Sequence, residues 1–332
     1  DAKGRVLREE YPPERRNATW VHRAALRPEE RIYGLGERAS SLNLRGGVYR
    51  MWNRDPASTY HPGDDPLYLC IPVYLGLHQS ASYIYFHENP MDATFDVGAT
   101  EPSTLVSHFS GGSLRAYLCA GNPARALARF TELTGRPPLP PRWALGYHQS
   151  RWGFRSEEDV RAVVEGFRQR DLPLCAVHLD LEYMDGCRVF TIDHGRFPDL
   201  AELSRELAEQ GIHLVAIINP GVKWDPEYDV FREGLAGGHF CTTQDGKPLR
   251  APVWPGMCAF PDFTCAATRA WWCRYYAGMH QAGIRGYWHD MNEPATFAAW
   301  GEMTLPGVTR HHLEGRQGDH REAHNTYGLL QV

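Results

Sequence analysis

Gly286-Tyr287-Trp288-His289-Asp290-Met291-Asn292-Glu293-Pro294 is the stretch from which the rest of this chain can be read. Residues 284–288 make a short β-type run that hands over to a carboxylate, an amide and a second carboxylate, and Pro294 stops regular continuation. Such an abrupt end suits a parallel α/β barrel, where groups just past a strand's C-terminal end face the mouth that binds substrate. Asp290 then stands at the rim, with the indole of Trp288 two residues earlier on the same side of the strand. An aromatic face beside a carboxylate suits a sugar ring undergoing substitution at its anomeric carbon. Asp and Asn are also good helix N-caps, which is the simpler reading of the same residues.

Upstream, the chain alternates strand-like and helix-like segments. Residues 144–148 read as a first strand, 175–180 as a second, 212–219 as a third and 284–288 as a fourth. Between them, Ser156-Glu157-Glu158-Asp159 opens a helix with Val160, Val163, Val164 and Phe167 on one face, and Leu200, Leu203 and Leu207 mark another ending at Gly211. A third helix is expected around 269–281. Alternating β and α units imply a parallel sheet with right-handed crossovers. The third crossover is long, and its residues from about 220 to 263 read as a Gly- and Pro-rich insertion.

Residues 1 to about 120 have a different texture. Short runs at 19–21, 48–52, 67–75, 82–86 and 113–118 are separated by Gly, Pro, Asn and Asp, the pattern of a β-sandwich. A helix over 123–133 follows, and then Gly135-Arg136-Pro137-Pro138-Leu139-Pro140-Pro141, too rich in proline for helix or central strand. The expected fold is therefore a β-sandwich over 1–135, followed over 136–332 by α/β structure: the first half of a (β/α)8 TIM barrel with an insertion after the third strand. Four βα units would leave a sheet edge and an apolar helix layer uncovered. Together with the helix-like run 326–332, this makes a fragment of a longer protein the expectation.

Bulk properties exclude more than they assign. With 332 residues and a formal charge of -5, the chain has no basic field for nucleic acid or an anionic membrane. No apolar run approaches the ~20 residues that span a bilayer. The eight cysteines are scattered without a Cys-x-x-Cys pair, so neither a zinc motif nor a redox motif is legible, and a reducing, cytoplasmic setting is expected.

The motifs carry a specific resemblance. Trp288-His289-Asp290-Met291-Asn292-Glu293-Pro294 resembles the nucleophile signature of glycoside hydrolase family 31, the α-glucosidase and α-xylosidase family. Three further segments agree in order: Arg142-Trp143-Ala144-Leu145-Gly146-Tyr147-His148-Gln149, His178-Leu179-Asp180-Leu181-Glu182-Tyr183-Met184-Asp185, and Val253-Trp254-Pro255-Gly256. The resemblance implies hydrolysis of a terminal α-glucosidic bond with retention, and an α-glucoside or oligosaccharide as partner. It implies no cofactor and no metal. Retention needs one carboxylate to attack the anomeric carbon and a second carboxyl, roughly 5 Å away, to protonate the leaving oxygen.

Carried over residue by residue, the resemblance makes Asp290 the nucleophile and Asp180 the carboxylate that grips hydroxyls of the sugar being cleaved. Trp152 and Trp254 match aromatic walls of the sugar pocket, Met291 its apolar side, and Trp288 stands beside the nucleophile. Asp55, in Met51-Trp52-Asn53-Arg54-Asp55-Pro56, resembles a loop Asp offered to the leaving-group sugar; a solvated turn Asp is the other reading. The family usually has Asp at position 182, where this chain has Glu182, which is therefore left outside the expected site. The acid/base Asp of the family belongs to a later barrel strand. α-Xylosidase and α-glucosyltransferase activity share these motifs, and a non-catalytic sugar-binding role is the alternative from another class. The 16 histidines invite a metal-hydrolase reading. His148-Gln149-Ser150 stands where a binuclear amidohydrolase would want His-x-His, and well-placed further ligands are missing.

Overall fold

The computed structural model describes residues 6–57, 59–79, 81–298 and 302–332. The chain divides into two compact units: Asp1–Pro137 with Asp319–Tyr327, and Pro138–Gly318 with Gly328–Val332.

The first unit is a β-sandwich. One sheet runs β1 (Glu14–Arg16), β2 (Thr19–Ala25), β8 (Thr104–Phe109), β7 (Ala93–Val97), β4 (Val48–Met51). The other runs β3 (Arg31–Gly36), β5 (Cys70–His78), β6 (Ala81–His87), β9 (Ala116–Gly121). All pairings are antiparallel. Alternate residues therefore face inward, and Ile32, Leu35, Tyr74, Tyr83, Phe95, Val97 and Phe109 close a shared core. Helix α1 (Pro123–Thr134) starts where Asn122 accepts the Arg125 N–H and Pro123 occupies the first turn. The expected runs at 19–21, 48–52, 67–75, 82–86 and 113–118 coincide with β2, β4, β5, β6 and β9; β1, β3, β7 and β8 were not anticipated.

A segment some 270 residues downstream completes this unit. His324 stacks on Trp52 with ring centroids 3.7 Å apart, and its Nε2 lies 2.7 Å from the Asn53 carbonyl. Asn325 accepts the Asn53 N–H and donates to the carbonyls of Met51 and Pro90, each at 2.9 Å. The expected boundary at 135/136 did not separate this segment from the α/β part.

The second unit contains a four-stranded parallel sheet in the order β10 (His148–Gln149), β11 (Ala176–Leu179), β12 (His213–Ile218), β16 (Gly286–His289). Helices α2 (Glu157–Gln169) and α3 (Leu200–Glu209) supply the first two crossovers. The third crossover carries the insertion, with β13 (Val222–Lys223), α4 (Asp229–Ala236), β14 (Ala251–Val253), β15 (Gly256–Ala259), α5 (Ala266–Cys273) and α6 (Tyr276–Gln281). Ser156 caps α2 by accepting the Asp159 N–H, as its position predicts, and Val160 and Val164 are buried.

Two expectations need correction. Residues 142–145 coil into a 3-10 turn after Pro141, so the first strand is only His148–Gln149, although the Tyr147 carbonyl already accepts the Cys175 N–H. The single helix at 269–281 is two, because Arg274 and Tyr275 bond three residues back rather than four and tighten the track between α5 and α6. The turn into β16 depends on Gly283, whose φ is +90° and whose position would set a Cβ 2.4 Å from that of Ser204.

Candidate active site

Parallel register brings the four strand ends to one edge of the sheet. Leu179 pairs with Ala216 and Ile217 with Trp288, so Asp180 stands in the row of Ile217 and Trp288. Asp290 lies two residues beyond Trp288, and its N–H reaches the Ile218 carbonyl at 3.4 Å. The face is settled by the helix packing. Tyr276 of α6 meets Tyr287 edge-on at 4.7 Å and its hydroxyl lies 2.8 Å from His289 Nε2. Tyr287 and His289 thus point to the helix layer, and Trp288 and Asp290 point the other way. Burial lowers the His289 pKa, which keeps this imidazole neutral.

On the face opposite the helices, the half-buried His148 and His178 approach with Nδ1 and Nε2 3.1 Å apart, and His178 lies 6.2 Å from Trp288, ring centre to ring centre. Burial and then the neighbouring His148 lower the His178 pKa. The two imidazoles have no third ligand beside them among the described residues. Asp180 accepts the Leu181 N–H at 2.8 Å. Its pKa is raised, chiefly by burial, with the Leu181 N–H opposing and Glu182 adding repulsion. A carboxylate kept where its charge is costly is characteristic of functional sites.

Trp152 and Trp254 meet at 5.5 Å, and Trp254 meets Phe297 edge-on at 4.9 Å. The two indoles, 66% and 44% exposed, wall a cavity of about 230 Å³ with Leu181, Glu182, Cys187 and Arg196. Indoles this exposed are not core. Met291 is buried and has a positive φ of 57°, a conformation rare for methionine that turns the chain directly after Asp290. Asp55 belongs to the sandwich unit, where it accepts the Ala57 N–H at 2.8 Å and closes its own turn.

Some participants escaped the sequence reading. Glu182 lines the cavity with Oε2 buried and unpartnered among the described residues. Only the departure from the family's Asp drew attention to it, and that departure argued for leaving it out. Phe297 follows the Asn292-Glu293-Pro294 turn, and no periodicity connects it with Trp254. Asn219 directly follows β12, one residue past the Ile218–His289 pair, and its buried Oδ1 has no partner among the described residues; its place after a strand was the available signal.

A β-sandwich unit followed by parallel βα units, with carboxylates gathered at the strand ends, has the architecture of the first part of a TIM-barrel protein. The chain belongs to glycosyl hydrolase family 31. The family's TIM-barrel domain matches residues 137–332, and its N-terminal galactose mutarotase-like domain matches residues 1–96. Alpha-glucosidase 2 of Bacillus thermoamyloliquefaciens is 40% identical over 302 residues, covering 91% of this chain and 38% of that protein. Human neutral alpha-glucosidase AB is 33% identical over 330 residues, covering 90% and 34%. A family 31 dextranase of Flavobacterium johnsoniae, solved with glucose, superposes with a TM-score of 0.89 at 28% identity, over 99% of this chain and 40% of that one. This chain thus spans between about a third and two fifths of the length of each of these three relatives. Among the described residues no helix is long and apolar enough to cross a membrane.

Proposed function

We propose that this chain supplies the nucleophile side of a retaining α-glucosidase site, with Asp290 as the attacking carboxylate. The observation that carries the reading is the register of β16. It sets Asp290 at the C-terminal edge of the parallel sheet, one pleat above the row of Trp288 and Asp180 and away from the helices. Family 31 membership and the α-glucosidases among the relatives support the substrate class.

In this mechanism the Asp290 carboxylate attacks the anomeric carbon as a second carboxyl group protonates the departing oxygen. Water then cleaves the glucosyl ester, and the product keeps its anomeric configuration. Asp180 accepts hydroxyl protons of the bound sugar, while Trp288 and Met291 form its apolar walls. Trp152 and Trp254 stack on the leaving-group side, where a dextran-like or oligosaccharide chain extends. The second carboxyl comes from elsewhere in the barrel, as the family resemblance implies. The two nearest substitutes are engaged: Asp185 pairs with Arg188, and Asp262 is buried against His311.

The test uses the full gene product and an activated aryl α-glucoside. Asp290→Asn is expected to lower kcat by several orders of magnitude, as loss of a covalent nucleophile does. Proton NMR of the first-formed sugar is expected to show the α-anomer. A β-anomer, or an Asp290→Asn enzyme of ordinary rate, contradicts the assignment.

A further inference from the structure

Away from the strand ends, three distant segments of the second unit meet at Cys241, Asp262 and His311. All three side chains are buried. Cys241 donates its N–H to the Phe260 carbonyl at 2.8 Å, two residues before Asp262. Thr242 and Arg310 exchange both backbone hydrogen bonds, which delivers His311 to the same spot. Cys241 Sγ lies 3.7 Å from His311 Nδ1, and that nitrogen lies 2.9 Å from Asp262 Oδ1. One ligand atom from each residue falls within 4.8 Å of the other two.

We propose that Cys241, Asp262 and His311 form a structural site for one divalent cation of the zinc class. A tetrahedral ion with bonds of roughly 2.0–2.3 Å holds its ligand atoms about 3.3–3.6 Å apart. The observed spacings bracket that range, so small side-chain rotations suffice. The Pro261 carbonyl lies 3.6 Å from Cys241 Sγ. A thiolate, an imidazole and a carboxylate together favour zinc or cobalt over magnesium or calcium, which take oxygen ligands. The carboxylate is already oriented: Thr264 donates its hydroxyl to Oδ1 at 2.6 Å, and the His312 N–H donates to Oδ2 at 2.6 Å. Metal sites rely on such outer partners to aim their ligands.

Loading releases the Cys241 thiol proton to solvent and moves the His311 imidazole proton from Nδ1 to Nε2. The ligand charges then sum to -2, and the buried site is neutral with the ion in place. The ion would pin the insertion to the strand β17 (Arg310–His311), at a site whose three ligands are buried.

The experiment loads the purified full gene product, free of a histidine tag, with Co²⁺ and separately with Zn²⁺, then removes excess ion. About one retained equivalent is expected, with a thiolate-to-cobalt charge-transfer band in the near ultraviolet that Cys241→Ser abolishes. Chelation is expected to lower the thermal midpoint by about 5 °C or more. Where Cys241→Ser does not fold, X-ray absorption of the zinc-loaded wild type decides, with one sulfur and the remainder nitrogen or oxygen expected in the shell. Retention below a tenth of an equivalent, a band that survives Cys241→Ser, or a shell with no sulfur or several overturns the site and leaves a hydrogen-bonded Cys-His-Asp cluster.

Discussion

Asp180 and Glu182 show how the site's electrostatics were legible only in part. Asp180 was readable because it ends a strand whose alternation points it at the rim, and the structure keeps it there with its pKa raised by burial and by Glu182. A carboxyl whose folded pKa is raised costs the fold stability above that pKa. The cost disappears as pH falls below the unfolded value, because both states are then protonated. Asp180→Asn keeps the acceptor for the Leu181 N–H and removes the charge. At neutral pH this variant is expected to melt no lower than wild type, with the difference closing as pH falls toward the carboxylate range. Its kcat/KM on an aryl α-glucoside is expected to drop about ten- to hundredfold, the worth of a charge-assisted hydrogen bond. A lower melting point with normal kcat/KM would make Asp180 a structural cap. Glu182 was not readable, because its burial among Trp152, Trp254 and Arg196 depends on a turn after β11 that carries no periodic signal.

At the scale of elements, β16 is held from behind by α6. The Tyr276 hydroxyl reaches His289 Nε2, and burial keeps that imidazole neutral. Tyr276→Phe removes the hydroxyl partner of a half-buried ring nitrogen, at a cost of about 0.5–1.5 kcal/mol in unfolding free energy. A denaturant midpoint shift of that size is expected, with KM changed little, since the residue sits on the helix side of the sheet. An unchanged midpoint would show that His289 has another partner in solution. The strands β11, β12 and β16 were legible because each is a short apolar run bounded by turn residues. The two-residue β10 was placed too early because Ala144 and Leu145 are apolar, whereas Pro141 and Gly146 confine that stretch to a 3-10 turn. In the sandwich, β3 carries two glycines, Gly34 and Gly36, and β8 buries Ser107 near His87, so neither reads as alternating apolar and polar. Such strands are made by tertiary pairing rather than by local preference.

At the scale of the whole molecule, sequence order conceals what folding brings together. Asn325 and His324 complete a sandwich whose other residues lie some 270 positions earlier, and Cys241, Asp262 and His311 converge from three separate segments. Contacts of that range leave no local pattern, so the return of residues 319–327 to the sandwich unit cannot be read from the sequence. The rim was legible because three of the four ordered motifs fall at ends of strands in the parallel sheet, whose register gathers those ends at one edge. Val253–Gly256 instead turns the β14–β15 hairpin of the insertion. The central claim is that Asp290 at that edge becomes covalently bonded to glucose. It is tested most directly by incubating the full gene product with a fluorinated or epoxide glucosyl inactivator and mapping the adduct by peptide mass spectrometry. The expected result is stoichiometric labelling of Asp290 in the Trp288–Pro294 peptide, blocked by excess substrate. Labelling of any other carboxylate, Glu293 included, would contradict it.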